Sequence, residues 1–539
     1  MLAQDLNALL PMLVLAGTAL VVLGVDWFLP EGESRILGGL SMLGLALAGG
    51  LVWRGWGAVG SGVGAFGRGV SVPGGPPAVF LVQVDKLGLF VAGILVLAAL
   101  LVLLLGVDYL RRWPGLARVE YFVLLLVATA AMMLLAVAND LVLVFLAIET
   151  FSIALYVLSG FLRGHRFSQE AAFKYFVLGA FSAGFLLYGI ALVYAATGTT
   201  NLTLIAWVLE GEIHALPPLL FVGFGLMLVG LGFKVAMAPF HQWTPDVYEG
   251  APTTVTAFMA AGTKAAAFAA LIRILWSGFG PVAPAWAPLL ASLALLTMVV
   301  GNLAALVQVD LKRMLAFSAV AHAGYLLVAV VAGGPAGDGA ALFYLLAYAL
   351  MNLGAFGVLM AIGPVGPEGR DATNLADLKG LARRHPGLAL ALAIFLLSLT
   401  GLPPMIGFLG KWYIFQAAVG SGYTWLAVAV MVNSVVSAFY YLRPIVLMTM
   451  AEAEPDLPAI TVPTASAMAI AVSALLVVTA LILGQPLVSA AQASALAGPR
   501  LLSADEAAPA GTLFMGVPDA MNVRVQAKAT RAAAATPTP

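Results

Sequence analysis

The stretch 216–250, LPPLLFVGFGLMLVGLGFKVAMAPFHQWTPDVYEG, decides how the rest of the chain is read. About twenty apolar residues in a row, enough to cross a hydrocarbon core of roughly 30 Å at 1.5 Å per residue, carry one lysine, Lys234. Pro239 follows, and then the polar cluster from His241 to Gly250. Proline removes a backbone donor and clashes with the preceding turn, so this span is broken, and the carbonyls left free need protein or water partners. A lysine at the centre of a membrane helix costs about 2.5–3.5 kcal/mol on insertion scales. Such a residue is read first as part of an ion or proton path.

Outward from that stretch, the composition repeats the message. Of 539 residues 62% are hydrophobic and 9% charged, and the mean hydropathy is +1.04; soluble domains carry about 25% charged residues. The chain is a polytopic membrane protein. Its 25 basic and 25 acidic residues cancel, so nothing favours nucleic acid as a partner. Cysteine is absent, which excludes disulfides, iron–sulfur ligation and thiolate metal sites. Of His165, His214, His241, His322 and His385, only His322 lies well inside an apolar stretch, too few for a bis-histidine haem. No redox centre or metal site is expected in this chain.

Fourteen stretches are long and apolar enough to span, near 7–28, 35–53, 84–107, 119–138, 140–161, 170–196, 216–240, 253–276, 286–308, 313–332, 339–363, 387–416, 423–449 and 462–484. The leader MLAQDLN has no positive charge, so the first is read as a retained helix rather than a signal peptide. Loops after odd-numbered spans hold Arg35, Arg111, Arg112, Arg118, Arg163, Arg166, Lys312, Arg313, Arg370, Lys379, Arg383, Arg384 and Arg443. Arg54 and Arg68, in the Gly-rich loop after span two, are the exceptions. The positive-inside rule then places both termini away from the cytoplasm. Beyond 484 the chain turns to Ala, Pro, Thr and Ser, and 485–539 reads as a disordered tail.

Span twelve repeats the ingredients of span seven in another order: Gly401, Pro403, Pro404, Gly407, Gly410 and then Lys411. Broken helices at matching places point to an inverted repeat, and spans seven and twelve are an odd number, five, apart. The expected organisation is all-α, with N-terminal helices one to three in 1–118, a first repeat (helices four to eight) in 119–276, a second (nine to thirteen) in 286–449 and a last helix in 462–484. Glu149, near the middle of span five, can reach Lys234 if spans five and seven pack together. With the carboxylate close, Lys234 keeps its proton; with it withdrawn, the proton can pass on. Lys264 stands among Ala260, Ala261, Gly262, Ala265 and Ala266, small residues that allow close helix approach or water, and reads as a central relay. Lys411 would be the terminal donor. A static Glu149–Lys234 ion pair joining two helices is the competing structural reading. Lys86, Lys174 and Arg273 lie nearer span ends and read as snorkelling or interface anchors. His241, at the break, could gate proton entry or donate at a helix end, and His322 could cap free backbone or take part in the relay.

At these residues the chain resembles a known family. PFHQWTPDVYEGAPTTVTAFMAAGTKAAAF, Pro239 to Phe268, is similar to the signature of subunit N of bacterial NADH-quinone oxidoreductase, respiratory complex I. ETFSIALYVLSGF from Glu149, EAAFKYFVLGAFSAGFLLYG from Glu170, DLKRMLAFSAVAHAGYLLV from Asp310 and LTGLPPMIGFLGKWYIF from Leu399 support it, and together these motifs span about 120 to 450. The resemblance implies fourteen transmembrane helices with two inverted five-helix repeats and broken helices seven and twelve. It implies that Glu149 pairs with Lys234, that Lys264 is the central relay, and that Lys411 leads to the periplasmic exit. Lysine at 264 and at 411 separates subunit N from sister subunits that carry histidine or glutamate there. The partners implied are the other membrane and peripheral subunits of complex I and the lipid bilayer of a bacterial inner membrane, with NADH, flavin, iron–sulfur clusters and quinone bound in those partners. The extended Ala/Pro-rich tail departs from the family pattern. A multisubunit cation/proton antiporter, which shares the broken helices and the lysine–glutamate pair, and a scaffold whose charges only fix packing are the competing functions.

Overall fold

The computed structural model describes residues 2–30, 34–60, 62–68, 77–113, 115–211, 217–365, 370–452 and 460–496. Long helices run α1 Leu10–Asp26, α2 Ser34–Ala58, α3 Lys86–Arg112, α4 Val119–Val137, α5 Leu141–Ser159 and α6 Arg166–Thr197. After the short α7 Leu202–Gly211 come α8 Pro218–Val235 and α9 Trp243–Gly250. The next crossing is composite. α10 Thr253–Phe258 passes through a π-helical turn, Met259–Thr263, into α11 Lys264–Ile272 and a second π-helical stretch, Arg273–Gly278. Then follow α12 Ala283–Leu306, α13 Leu311–Ala332, α14 Gly334–Ile362, α15 Pro386–Thr400, α16 Ile406–Gly420, α17 Thr424–Met450, α18 Thr464–Val478 and α19 Ala480–Gln492.

Among the described residues, eleven helical segments are long and apolar enough to cross a membrane, while the expected spans at 7–28, 387–416 and 462–484 fall on helices of 17 residues or fewer. The central ones are Thr253–Gly278, α13 and α14, almost wholly buried inside the protein, whereas α2 and α6 turn most of their apolar surface outward. This is the sorting a bundle in lipid requires, since apolar side chains can face either lipid or protein.

Three features differ from the sequence reading. The Gly-rich segment after α2 contains an antiparallel hairpin, β1 Val63–Arg68 with β2 Val79–Val84, which feeds directly into Asp85, the N-cap of α3. The stretch read as a loop after span six holds α7. The segment 485–492, expected in the disordered tail, belongs to α19, packed so closely on α14 that a Cβ at Gly339 would lie 2.7 Å from Gln492. The tail beyond 496 lies outside the described residues, as does His214.

Two loop anchors are built alike. Asp140 caps the N-terminus of α5 and bridges to Asn201, which follows α6; Asp310 caps α13 and bridges to Asn374, which follows α14. Thr200 donates its hydroxyl to Asp140, and Thr373 does the same to Asp310. The Leu141 amide bonds the Thr200 carbonyl at 2.9 Å and the Leu311 amide that of Thr373 at 2.6 Å. Reciprocally, Leu202 donates to Asn139 at 3.0 Å and Leu375 to Val309 at 2.9 Å. The same short polar motif thus satisfies helix-end backbone groups twice, at α5 and at α13.

Candidate functional site

Both breaks form where the sequence places them. α8 ends at Val235; Ala236 takes a left-handed φ of +60°, and its amide and that of Met237 return to the Phe233 and Gly232 carbonyls at 3.2 and 2.8 Å. Trp243 Nε1 adds a bond to the Phe233 carbonyl at 2.9 Å. α15 ends at Thr400; Gly401 follows with φ +92°, and the corresponding returns run to Leu397 and Ser398. Gly401 Cβ space is also taken: an added Cβ would sit 3.0 Å from the Lys411 side chain.

The three lysines are buried, at 5% exposure for Lys234, 2% for Lys264 and 3% for Lys411. Lys411, on the far side of the second break, uses the carbonyls the break frees, donating to Leu399 at 3.0 Å and Thr400 at 2.8 Å. Its ammonium also lies 4.9 Å from the Tyr325 ring centroid. Lys264 donates to the Ala319 carbonyl of α13 and lies 5.5 Å from the Tyr348 ring centroid. Lys264 and Lys411 are thus each satisfied by backbone oxygen and an aromatic face, and among the described residues neither forms an ion pair with a carboxylate.

Lys234 is held differently. Its Nζ donates to Ser152 Oγ at 2.7 Å, inside a cage of Phe233, Tyr156 and Phe151 rings at 5.4, 5.7 and 5.8 Å. Glu149 lies one turn before Ser152 on α5, half-buried, with Oε1 buried and without a hydrogen-bond partner. The two charges interact electrostatically, but no ion pair within 4.0 Å joins them among the described residues. The static ion pair of the structural reading is therefore not what holds α5 to α8.

His322, fully buried on α13, was expected to cap free backbone or relay protons. Its ring nitrogens meet side chains and not backbone: Nδ1 bonds Tyr344 Oη at 2.6 Å and Nε2 bonds Tyr441 Oη at 3.0 Å, and Tyr441 in turn bonds Ser318. Backbone capping is thus not its role. The ring also packs on Tyr325 and Tyr348, at centroid distances of 5.4 and 5.1 Å, the two rings that face Lys411 and Lys264, so His322 and the two lysines form one group. Glu149 and Lys234 form a second, and no shared hydrogen-bond partner joins the groups among the described residues. His241 stands apart in the turn after the break, half-buried, with Nδ1 lacking a partner.

Arg273 corrects the sequence reading outright. It is 1% exposed and does not snorkel: two parallel 2.9 Å bonds run to the Asp85 carboxylate, and Nε and Nη2 also reach the Ala136 carbonyl at 3.2 and 3.0 Å. The π-helical stretch that begins at Arg273 sets this side chain facing α3 and α4 rather than the water. Lys174, by contrast, is partly exposed and pairs with Glu170 at 2.7 Å and Asp246 at 2.6 Å; Asp246 also takes Arg313 at 2.7 Å, which reaches Glu249 as well. α9, the segment after the first break, is thereby tied to α6 and α13 at once. Among the described residues no cluster of three or more acids and histidines suited to a metal ion occurs.

Sequence reasoning missed the partners: Ser152, Tyr344, Tyr348 and Tyr441. A hydroxyl on an apolar helix does not stand out as a charge does, although the Tyr344–Tyr348 spacing of four puts both rings on one helix face.

Comparison with known proteins identifies the family. The family model described as NADH:quinone oxidoreductase/Mrp antiporter, TM matches residues 138–437. NADH-quinone oxidoreductase subunit N of Trichlorobacter lovleyi is 44% identical over 471 residues, 87% of this chain and 93% of the relative. Subunit N 2 of Symbiobacterium thermophilum is 41% identical over 504 residues, 91% and 96% of the two chains. A chain of respiratory complex I from Thermus thermophilus superposes with a TM-score of 0.73 at 36% identity, covering 90% of this chain and 100% of that one. A chain of the Mrp complex from Dietzia sp. shares the fold, with a TM-score of 0.80 over 93% of this chain and 98% of its own, at 22% identity. On these matches, the chain belongs to the subunit N family of NADH-quinone oxidoreductase.

Proposed function

We propose that this chain moves protons across the membrane through Glu149, Lys234, Lys264, His322 and Lys411, driven by NADH oxidation and quinone reduction in partner subunits. It is an antiporter-like, proton-translocating membrane subunit of NADH-quinone oxidoreductase. The observation that carries the relay is the state of its buried ammoniums. Three lysines in the bundle interior are held by hydroxyl, carbonyl and ring faces, while the nearby acid, Glu149, has an oxygen unpartnered. A charge held by weak neighbours can be neutralised by losing a proton, whereas one locked in a good ion pair cannot.

In this reading Lys234 and Glu149 are the switch, Lys264 receives the proton and His322 bridges it to Lys411. The ring can do so because one nitrogen accepts while the other donates. Lys411 releases the proton toward the periplasmic exit, and His241 gates entry. NADH, flavin, iron–sulfur clusters and quinone are bound by the partner subunits, so this chain converts their energy without redox chemistry of its own.

The reading includes fourteen crossings: the eleven long segments, α1, α15 with α16, and α18. Contacts support the parity. Residues from the ends expected in the cytoplasm meet one another, as in Lys174–Asp246–Arg313 and Tyr109–Asp371, and so do those of the opposite ends, as in Asp85–Arg273. The matched Asp140–Asn201 and Asp310–Asn374 anchors support inverted repeats over 119–276 and 286–449, with both termini on the periplasmic side.

The test is Lys264→Ala in the assembled enzyme, scored by proton uptake into inverted vesicles and by coupled NADH oxidation. Both are expected to drop at least about tenfold, as for loss of a proton-transfer group. Wild-type pumping by a fully assembled variant would refute the relay; failure to assemble would favour a scaffold role.

A further inference from the structure

The twin anchors give the two halves a common register. Counted from the capping aspartates Asp140 and Asp310, Glu149 and Ala319 both stand nine residues on, and Ser152 and His322 both stand twelve residues on. The second half therefore has no acid at the place of Glu149, and it carries its titratable ring at the place of Ser152. Ser152 is fully buried; its Oγ donates to the Ile148 carbonyl one turn back and accepts from Lys234 Nζ at 2.7 Å. That donation fixes the hydroxyl with its lone pairs toward the lysine. Glu149, three residues earlier on the same helix and within electrostatic reach of Lys234, is left with a buried oxygen unpartnered.

We propose that Ser152 is a positioning residue: it holds the Lys234 ammonium out of direct contact with the Glu149 carboxylate, keeping the pair in the separated state from which a proton can leave. The proposal rests on the proton-relay reading. Two opposite charges in contact in a poorly screened interior attract with several times thermal energy, about sevenfold at an effective dielectric of about 20. Without a competing partner, the flexible lysine side chain would settle on Glu149. Ser152 competes because its bond is short and its own orientation is already set, so little entropy is lost in making it. In the second half no such competition arises, since Ala319 offers no carboxylate, only a carbonyl, which accepts from Lys264 of the first half.

The experiment compares Ser152→Ala, Ser152→Thr and Lys234→Ala in the whole enzyme, in vesicles, with assembly scored by NADH oxidation with a water-soluble electron acceptor. Ser152→Ala is expected to assemble fully and to lower proton pumping and coupled NADH oxidation about fivefold or more. Ser152→Thr, which keeps the hydroxyl, is expected to restore both to within about twofold of wild type. The proposal is overturned if Ser152→Ala pumps as wild type while Lys234→Ala does not, if alanine and threonine are equally impaired, or if Ser152→Ala fails to assemble, which would make the residue structural. Wild-type pumping by Lys234→Ala would remove the relay reading itself, and the proposal with it.

Discussion

Replacing Arg273 by methionine should destabilise the subunit far more than removing the charge of its partner at the same time. The side chain is 1% exposed and gives two bonds to Asp85 and two to the Ala136 carbonyl. Taking away one member of a buried pair leaves the other charge uncompensated, at about 3–5 kcal/mol. The Asp85 side chain retains 12% exposure, so some water reaches it, and the lower end, about 3 kcal/mol, is expected. Asp85 also accepts the Gly88 amide at 2.9 Å as the α3 N-cap. Asparagine keeps that cap and removes the charge, so Asp85→Asn with Arg273→Met should lose only about 1–2 kcal/mol, chiefly the bonds to Ala136. Unfolding of the detergent-solubilised enzyme, followed by heat and by denaturant, measures the difference. If the double variant is as unstable as Arg273→Met alone, Asp85 is not the reason Arg273 matters, and the packing of the π-helical stretch must be.

Two further outcomes follow from contacts around the site. An added Cβ at Gly410 would lie 2.3 Å from the Tyr344 ring, so Gly410→Ala forces that ring to move, at about 1–3 kcal/mol, and pulls its hydroxyl off His322. Coupled NADH oxidation should fall while NADH oxidation with a soluble acceptor stays; an unimpaired coupled rate would show that the Tyr344–His322 bond is dispensable. Asp246→Asn weakens ties from α9 to both Lys174 and Arg313, but these groups are about a third exposed, so each pair is worth at most about 1 kcal/mol. A modest loss of thermal stability, shrinking as salt is raised, is expected in melting curves; a loss unaffected by salt would mean the aspartate acts through packing.

The legibility of this chain follows from what a bilayer makes conspicuous. Lys234, Lys264, Lys411 and Glu149 could be picked out because charge deep in an apolar run carries a large penalty, and the two breaks because proline and glycine act on the local backbone. Neither inference needs a neighbour. Arg273 defies the same logic because distance along the chain from a helix end does not measure depth: Asp85 at the start of α3 and the Ala136 carbonyl hold its guanidinium inside the protein. Partner identity was out of reach for a related reason: whether a serine or tyrosine serves a lysine depends on which helices face each other, and apolar helices in lipid carry no one-sided pattern to reveal that. The loop anchors were the exception. Asp–Leu before α5 and α13, and Thr–Asn–Leu after α6 and α14, are legible in the sequence as a repeated pair, and lining them up sets Glu149 against Ala319 and Ser152 against His322. Under the repeat reading proposed above, the asymmetry between the halves is chemical: the first carries an acid near its buried lysine, and the second carries an imidazole where the first has a serine.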